Sequence, residues 1–383
     1  MKFEMKRFGD ILDLTRTPIA IDDDQKYARI GIYSWGKGMI HHEPVPASGM
    51  GRMKYFTFPQ DSLIFSNIQA WEGAVALSTS TEDGFVCSNR FYPYIPKNDD
   101  AVNLHYLYEF FRSARGLAIM RACSPGTQVR NKVLSRKALE SSLIPLPSRA
   151  DQDRVAAHLD SLAAIEQRSR ESVLNATQLY ARLGEHVLGT LFEQYSENLD
   201  AVLSSIDQLE PVDLNTDYPT LGIRAHAKGA FHSGVTRGSE TSYKKLRRFN
   251  AGQVAYPKLM GWQGAFTIVQ DELDGFYASP EFVGFNIDST KANVDFIKHC
   301  FSWRPLVAAA TAKASGTNAN RRRLQPGDFL QLEIPLPPLE TQQTVASQLN
   351  LAREIVERSR LAHQIAAKVL PTARNQIFTA LEA

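Results

Sequence analysis

Short runs dense in β-branched and aromatic residues, broken by Gly and Pro, alternate along this chain with long polar stretches that carry a thin apolar stripe. From Tyr27 onward, Ala28–Trp35, Met53–Phe58, Ser62–Ile68, Gly73–Ser78 and Gly84–Ile95 have the length, composition and turn boundaries of strands. A short helix or strand is expected around Phe8–Leu14. The spacing turns helical over Val102–Arg121, where Leu104, Leu107 and Phe111 fall on one face. A polar loop, Ser124–Lys132, a second small helix and a strand ending near Ile144 complete this stretch.

Two segments then read as long helices. IPLPSRADQDRVAAHLD opens at Ile144 and its helix continues to Phe192; IPLPPLETQQTVASQLN opens at Ile334. A proline pair cannot lie inside a helix and holds the residues before it extended, so each helix starts just after the pair. Ser148 and Asp151 have the spacing of a capping box, and Glu340 places negative charge in the second helix's first turn. The stripes are Val155, Leu159, Leu162, Ile165, Ser169, Val173, Leu179, Leu183 and Val187 in one, and Val345, Leu349, Ala352, Ile355, Ser359, Ala366 and Val369 in the other. Each is too narrow for a core helix and suits one seam of an antiparallel pair. Pro371 is expected to end or kink the second helix.

The chain repeats itself. At an offset of 191 residues, Tyr27 falls on Tyr218, Lys37 on Lys228, His41 on His232, Phe58 on Phe249, Trp71 on Trp262, Asp83–Phe85 on Asp274–Phe276 and Phe91 on Phe282, with no gap. After one deletion, Asn103 meets Asn293, Gly126-Thr127 meets Gly316-Thr317 and IPLP meets IPLP. The expected fold is α+β: two tandem, pseudo-twofold related α/β domains (1–147 and 196–337) joined by two long helices (148–195 and 338–383) that form an antiparallel coiled coil.

A net charge of +2 alone does not suggest a nucleic-acid binder, but the charge is segregated. Arg237, Lys244, Lys245, Arg247 and Arg248 face one acid, Glu240; Arg321, Arg322 and Arg323 are consecutive; Arg130, Lys132, Arg136 and Lys137 hold the matching place in the first half. Acids gather instead on the helices, as at Asp151, Asp153, Asp160, Glu166 and Glu171. Basic docking faces on the domains follow from this distribution. Cys87, Cys123 and Cys300 are scattered, and no apolar run approaches membrane length, so a reduced cytoplasmic protein without structural zinc is expected.

Catalytic motifs are lacking. Gly31–Gly38 nearly fits a phosphate loop, but Gly38 replaces the magnesium-binding hydroxyl and no helix-forming run follows. His41 and His42 are adjacent and would point to opposite faces of a strand. Trp71 and Trp262 could stack on bases, although an aromatic before Gly-Ala in a β-type run more often packs in a core.

The pattern Trp-x-Gly-Ala, Asp-Gly, Ser-Gly-Thr-x-x-x-Arg-Arg and IPLPPLE-x-Gln opening a long helix resembles the specificity subunits of type I restriction–modification systems. The first half departs from it at Ser148–Asp151. The resemblance implies two target recognition domains, each reading half of a split double-stranded DNA sequence, with the coiled coil setting the gap. It also implies two methyltransferase (modification) subunits and endonuclease/translocase subunits as partners. Those partners would use S-adenosylmethionine, ATP and magnesium, with no cofactor and no catalytic residue in this chain. The implied DNA contacts are Lys37, Arg130 and Lys132 with Arg52 and Lys54 in the first half. In the second they are Lys228, Arg321, Arg322 and Arg323 with Lys244, Lys245, Arg247 and Arg248. The competing readings are a protein-interaction scaffold and an enzyme with an unrecognised nuclease or methyltransferase site.

Overall fold

The computed structural model describes residues 3–126, 132–206, 209–316 and 322–380. Contacts divide the chain into two units, Met1–Arg170 with Leu361–Ala383, and Glu171–Arg360. The divisions fall inside the two long helices, Arg149–Phe192 and Leu339–Thr379, so each unit holds part of both.

Both units repeat one element order. In the first, Phe3–Arg7 pairs antiparallel with Leu143–Pro147, the strand feeding the central helix; in the second, Ser196–Asn198 pairs with Glu333–Pro335. A four-stranded antiparallel sheet follows, ordered Leu12–Leu14, Phe91–Pro96, Leu63–Ser66, Val75–Leu77 in the first unit. The second unit has Leu203–Ser205, Phe282–Ile287, Val254–Pro257, Thr267–Ile268 in the same order. A second β layer carries the hairpin Lys26–Ile32 with Met39–Pro46, matched by Asp217–Ile223 with Ala230–Arg237. The strand Met39–Pro46 is not evident from composition, because its residues are mostly exposed and include two prolines.

The helical stretch Val102–Arg121 is two helices, Leu104–Arg112 and Ala114–Ala122. The Ser113 hydroxyl accepts from the Gly116 amide and starts the second one. Gly116 is required there: a Cβ would lie 2.2 Å from the Phe110 carbonyl oxygen. These helices cover the four-stranded sheet in a core that includes Phe8, Phe65, Tyr94, Phe110 and Phe111. The second unit's core is built alike around Tyr256, Phe266, Phe285, Phe301 and Phe329.

Each long helix is anchored by one buried glutamine in its first turn. Gln152 donates to the Ala101 and Pro147 carbonyls and accepts from the Asn103 amide, the residue capping Leu104–Arg112. Gln342 does the same with Lys291, Pro337 and Asn293. That network fixes where the helix leaves the domain and gives a physical reason for Gln in both copies. Ser148 caps as expected, its hydroxyl accepting from the Asp151 amide at 3.2 Å.

Within each unit the long helices run antiparallel. In the first, Val155 and Leu159 share a core with Leu370 and Phe378, while Ser169 bonds His363 at 3.0 Å. In the second, Leu188 packs with Val345 and Leu349, and Ser172 meets Ser359. The seam differs in detail from the stripe read off the sequence. Val356 and Leu370 are buried, whereas their neighbours Ile355 and Val369 are exposed. Mixed three- and four-residue steps leave two adjacent positions eligible, and packing selects one. The C-terminal helix does not end at Pro371 but runs on to Thr379, because Leu370, Arg374 and Phe378 are buried on either side of it. Docking of those side chains outweighs the loss of one amide donor.

Candidate nucleic-acid interface

The near-phosphate-loop segment is the turn of a hairpin, with a strand rather than a helix after it. In the first unit Trp35, Gly36 and Gly38 all have left-handed φ (65°, 61° and 91°). The turn is clamped onto the short 3-10 turn Ala70–Glu72 by Trp35 N–H to the Glu72 carbonyl and Gly36 N–H to the Gly73 carbonyl, both 2.8 Å. Ser34 adds a bond from its hydroxyl to the Glu72 carboxylate.

The second unit reproduces this clamp with other side chains. His226 and Ala227 take φ of 59° and 52°, and their amides donate at 2.8 Å to the carbonyls of Gln263 and Gly264. Non-glycine residues held left-handed cost about 1–2 kcal/mol each, so the surrounding bonds over-determine this shape. Trp71 and Trp262 sit on the clamped turns, half-buried, rather than in strands as a β-type run would place them.

A third element closes on each tryptophan. Lys132 Nζ lies 4.7 Å from the Trp71 ring centroid, and the Arg322 guanidinium lies 5.5 Å from that of Trp262. The backbone carbonyls of the two tryptophans are held as well, by Arg121 Nε at 3.2 Å and by the Thr311 hydroxyl at 2.7 Å. Each unit thus presents a Lys-Gly turn, a tryptophan turn and a basic loop joined at one place, with Lys37 or Lys228 exposed on the turn. Trp35, 61% exposed, adds an aromatic face to the first unit that charge-based reading passed over.

The other basic candidates separate by environment. Arg52, Lys54, Lys244, Lys245 and Arg248 are exposed. Arg247 is buried, donating to the carbonyls of Phe282 and Ile206, and so braces the sheet. Arg322 gives hydrogen bonds to the Thr311 and Ala314 carbonyls, which hold its guanidinium at the end of the helix Arg304–Lys313. Arg323 pairs with Glu281 at 3.1 Å. Arg130 and Arg321 lie outside the described residues.

The histidines are used locally. His41 bonds Glu82 at 2.5 Å, and His232 bonds the Gly234 carbonyl. Burial alone would raise the Glu82 carboxyl pKa, but the Thr79 amide and hydroxyl and the His41 ring hold it below the ordinary value. All three cysteines are buried thiols, and burial pushes Cys87 up to about 12. Among the described residues no group of three or more His, Cys, Asp or Glu is placed to hold a metal, and no helix is long and apolar enough to cross a membrane.

Comparison with known proteins agrees with this geometry. Residues 1–175 match the family model of the type I restriction modification DNA specificity domain. No curated protein matches by sequence. Among solved structures, the HsdS subunit from Thermoanaerobacter tengcongensis is similar at 14% identity and a TM-score of 0.56, covering 98% of this chain and 96% of that one. The type I restriction-modification system S subunit from M. genitalium gives 11% and 0.57, with the same coverage. A chain from a structure of type I R-M complex assembly and conformational transition gives 15% and 0.58, covering 99% and 97%. The resemblance drawn from the repeated motifs and the expected α+β architecture are both borne out.

Proposed function

We infer, from the match of residues 1–175 to the family model of the type I restriction modification DNA specificity domain and from a fold similar to S subunits over nearly the whole chain, that this protein is a non-catalytic DNA-recognition subunit. It reads a split double-stranded target, one half with the module of residues 1–147 and the other with that of 196–337. The helices of 148–195 and 338–383 act as the spacer. The observation that supports this most directly is the duplicated junction of Lys-Gly turn, tryptophan turn and basic loop. Two copies of one rigid cationic feature suit two half-sites. Exposed Lys37, Lys228, Arg52, Lys54, Lys244, Lys245 and Arg248 supply phosphate and base contacts, joined by Arg130 and Arg321, while Lys132 and Arg322 lie against the two tryptophans.

Methyl transfer and ATP-driven cleavage belong to partner modification and endonuclease subunits, which bring S-adenosylmethionine, ATP and magnesium to DNA in the cytoplasm. The long helices carry the surface for two modification subunits. Leu351 and Ile355 in the second unit, and Leu361 and Ile365 in the first, are each more than half exposed despite being large and apolar. Replacing Leu351 and Ile355 together by Lys is expected to abolish co-purification with the modification subunit while leaving the thermal melt of the chain unchanged. Retained co-purification places the modification subunit elsewhere.

The direct test is a base-resolution methylation map of the source genome with the gene intact and deleted. One split motif with a fixed gap should lose methylation on deletion. A motif that persists, in cells where the modification subunit is expressed, overturns the reading.

A further inference from the structure

The repeat diverges in one cleft of the second unit. Beside the His226–Gly229 turn, an open cleft of about 720 Å³ is floored by Phe266 and Phe301 and walled by Lys228, Lys298, Arg353 and Arg360. Its one acid, Glu357, is engaged with Arg360 at 2.6 Å. Lys298 makes no ion pair among the described residues. Burial and then the Arg353 charge pull its ammonium below the ordinary value, against the opposing pull of the Asp295 and Glu272 carboxylates.

The first-unit counterparts of Lys298 and Arg353 are not basic. Five residues past the capping Asn293 stands Lys298, whereas five past Asn103 stands Tyr108, its ring covered by the Arg112 guanidinium at 4.8 Å. The position of Arg353 is taken by Ala163, packed on the core. Arg170 and its counterpart Arg360 are each paired with an acid, Glu166 and Glu357, so the units differ at Lys298 and Arg353.

We propose that this cleft seats the DNA sugar–phosphate backbone beside the second half-site, an anchor the first unit lacks. The proposal rests on the DNA-recognition reading. Arg353 and Arg360 are two helical turns apart, about 10 Å along the axis, which exceeds the span of one phosphate and suits a polyanion. Lys228 and Lys298 reach the same space from other elements, so the charges line a track rather than a point. Phosphate contacts of this kind set position and affinity without reading sequence. The two halves of a duplicated protein then hold DNA unequally, the second contributing more of the salt-dependent affinity.

The test is binding of the full chain to a random-sequence 30-base-pair duplex by fluorescence anisotropy across a salt series. Each lost phosphate contact should lower the slope of log K against log salt by about 0.9. Lys298→Gln should therefore reduce it by about one, and Lys298→Gln with Arg360→Gln by about two. Arg170→Gln, the first-unit counterpart, should leave it unchanged. Thr177→Glu, which adds a carboxylate to the cleft wall at a helical site that favours Glu, should weaken binding at low salt with the melt preserved. Unaltered slopes in the Lys298 variants, or an equal drop with Arg170→Gln, overturn the asymmetric anchor while leaving DNA recognition intact. A wild-type chain with no salt-dependent binding overturns both.

Discussion

Replacing Glu109 by Ala is expected to destabilise the first unit by about 3–5 kcal/mol. Glu109 is buried in the helix Leu104–Arg112, and its carboxylate holds two guanidinium groups, Arg374 Nε at 2.5 Å and Arg112 at 2.6 Å. Arg374 is itself buried, on the final turns of the C-terminal helix, and among the described residues neither its Nη2 nor Arg112 Nε has a hydrogen-bond partner. Removing the carboxylate leaves a cation in the core with nothing to offset its desolvation, which is worse than having no charge there at all. Amide exchange over Leu104–Ala122 reads the loss locally, and a decrease below about 1 kcal/mol would show that Arg374 escapes to water. A double variant, Glu109→Leu with Arg374→Met, should recover most of the stability, since a packed apolar pair matches or exceeds a buried ion pair. The second unit supports that expectation: its counterparts of Glu109 and Arg374 are His299 and Gly184, which cannot form such a pair, and the same helix folds there.

The limits of sequence reading show in these charged residues. Trp-x-Gly-Ala and the proline pairs announce the duplication and the start of both long helices, because backbone constraints and rare side chains leave few alternatives. Which arginines face outward is another matter. Arg247 and Arg248 are neighbours on one strand and must point to opposite faces, yet both are equally basic as text. Arg247 goes inward because the carbonyls of Ile206 and Phe282 need donors, and those belong to segments about 40 and 35 residues distant. Lys298 and Arg353 are 55 residues apart, so only the folded arrangement of helix, turn and long helix brings them into one cleft. The Lys-Gly turns were legible as repeated features. Their clamp onto the tryptophan turns was not, since it is made by backbone amides and leaves no side-chain signature.

Between pH 7 and pH 4.5 the second unit is expected to lose roughly 2–3 kcal/mol of stability through His299 alone. This ring is 3% exposed, bonded to the Tyr180 hydroxyl at Nδ1 and to Asn350 Oδ1 at Nε2, each at 3.0 Å. Asn350 donates its amide to Asp295 and accepts from Arg353, which fixes its oxygen toward the ring. Nε2 therefore carries the proton, and Nδ1 accepts from Tyr180. Desolvation, with Arg353 and Lys298 nearby and Asn350 and Asp295 opposing, lowers the His299 pKa from 6.5 to about 4. The fold favours the neutral ring, so the unfolded chain binds the extra proton first as pH falls. Stability is full above pH 6.5, declines below it, and the contribution is gone once pH has passed through about 4. Carboxylates titrate in the lower part of this window too, so the measurement is a difference. Urea unfolding of wild type and His299→Gln at both pH values should show the variant less stable at pH 7 yet shallower in its acid decline by that amount. Equal declines would mean that His299 binds its proton with the same pKa in the folded and unfolded chain, and a shallower wild-type decline would mean that the fold holds the ring protonated.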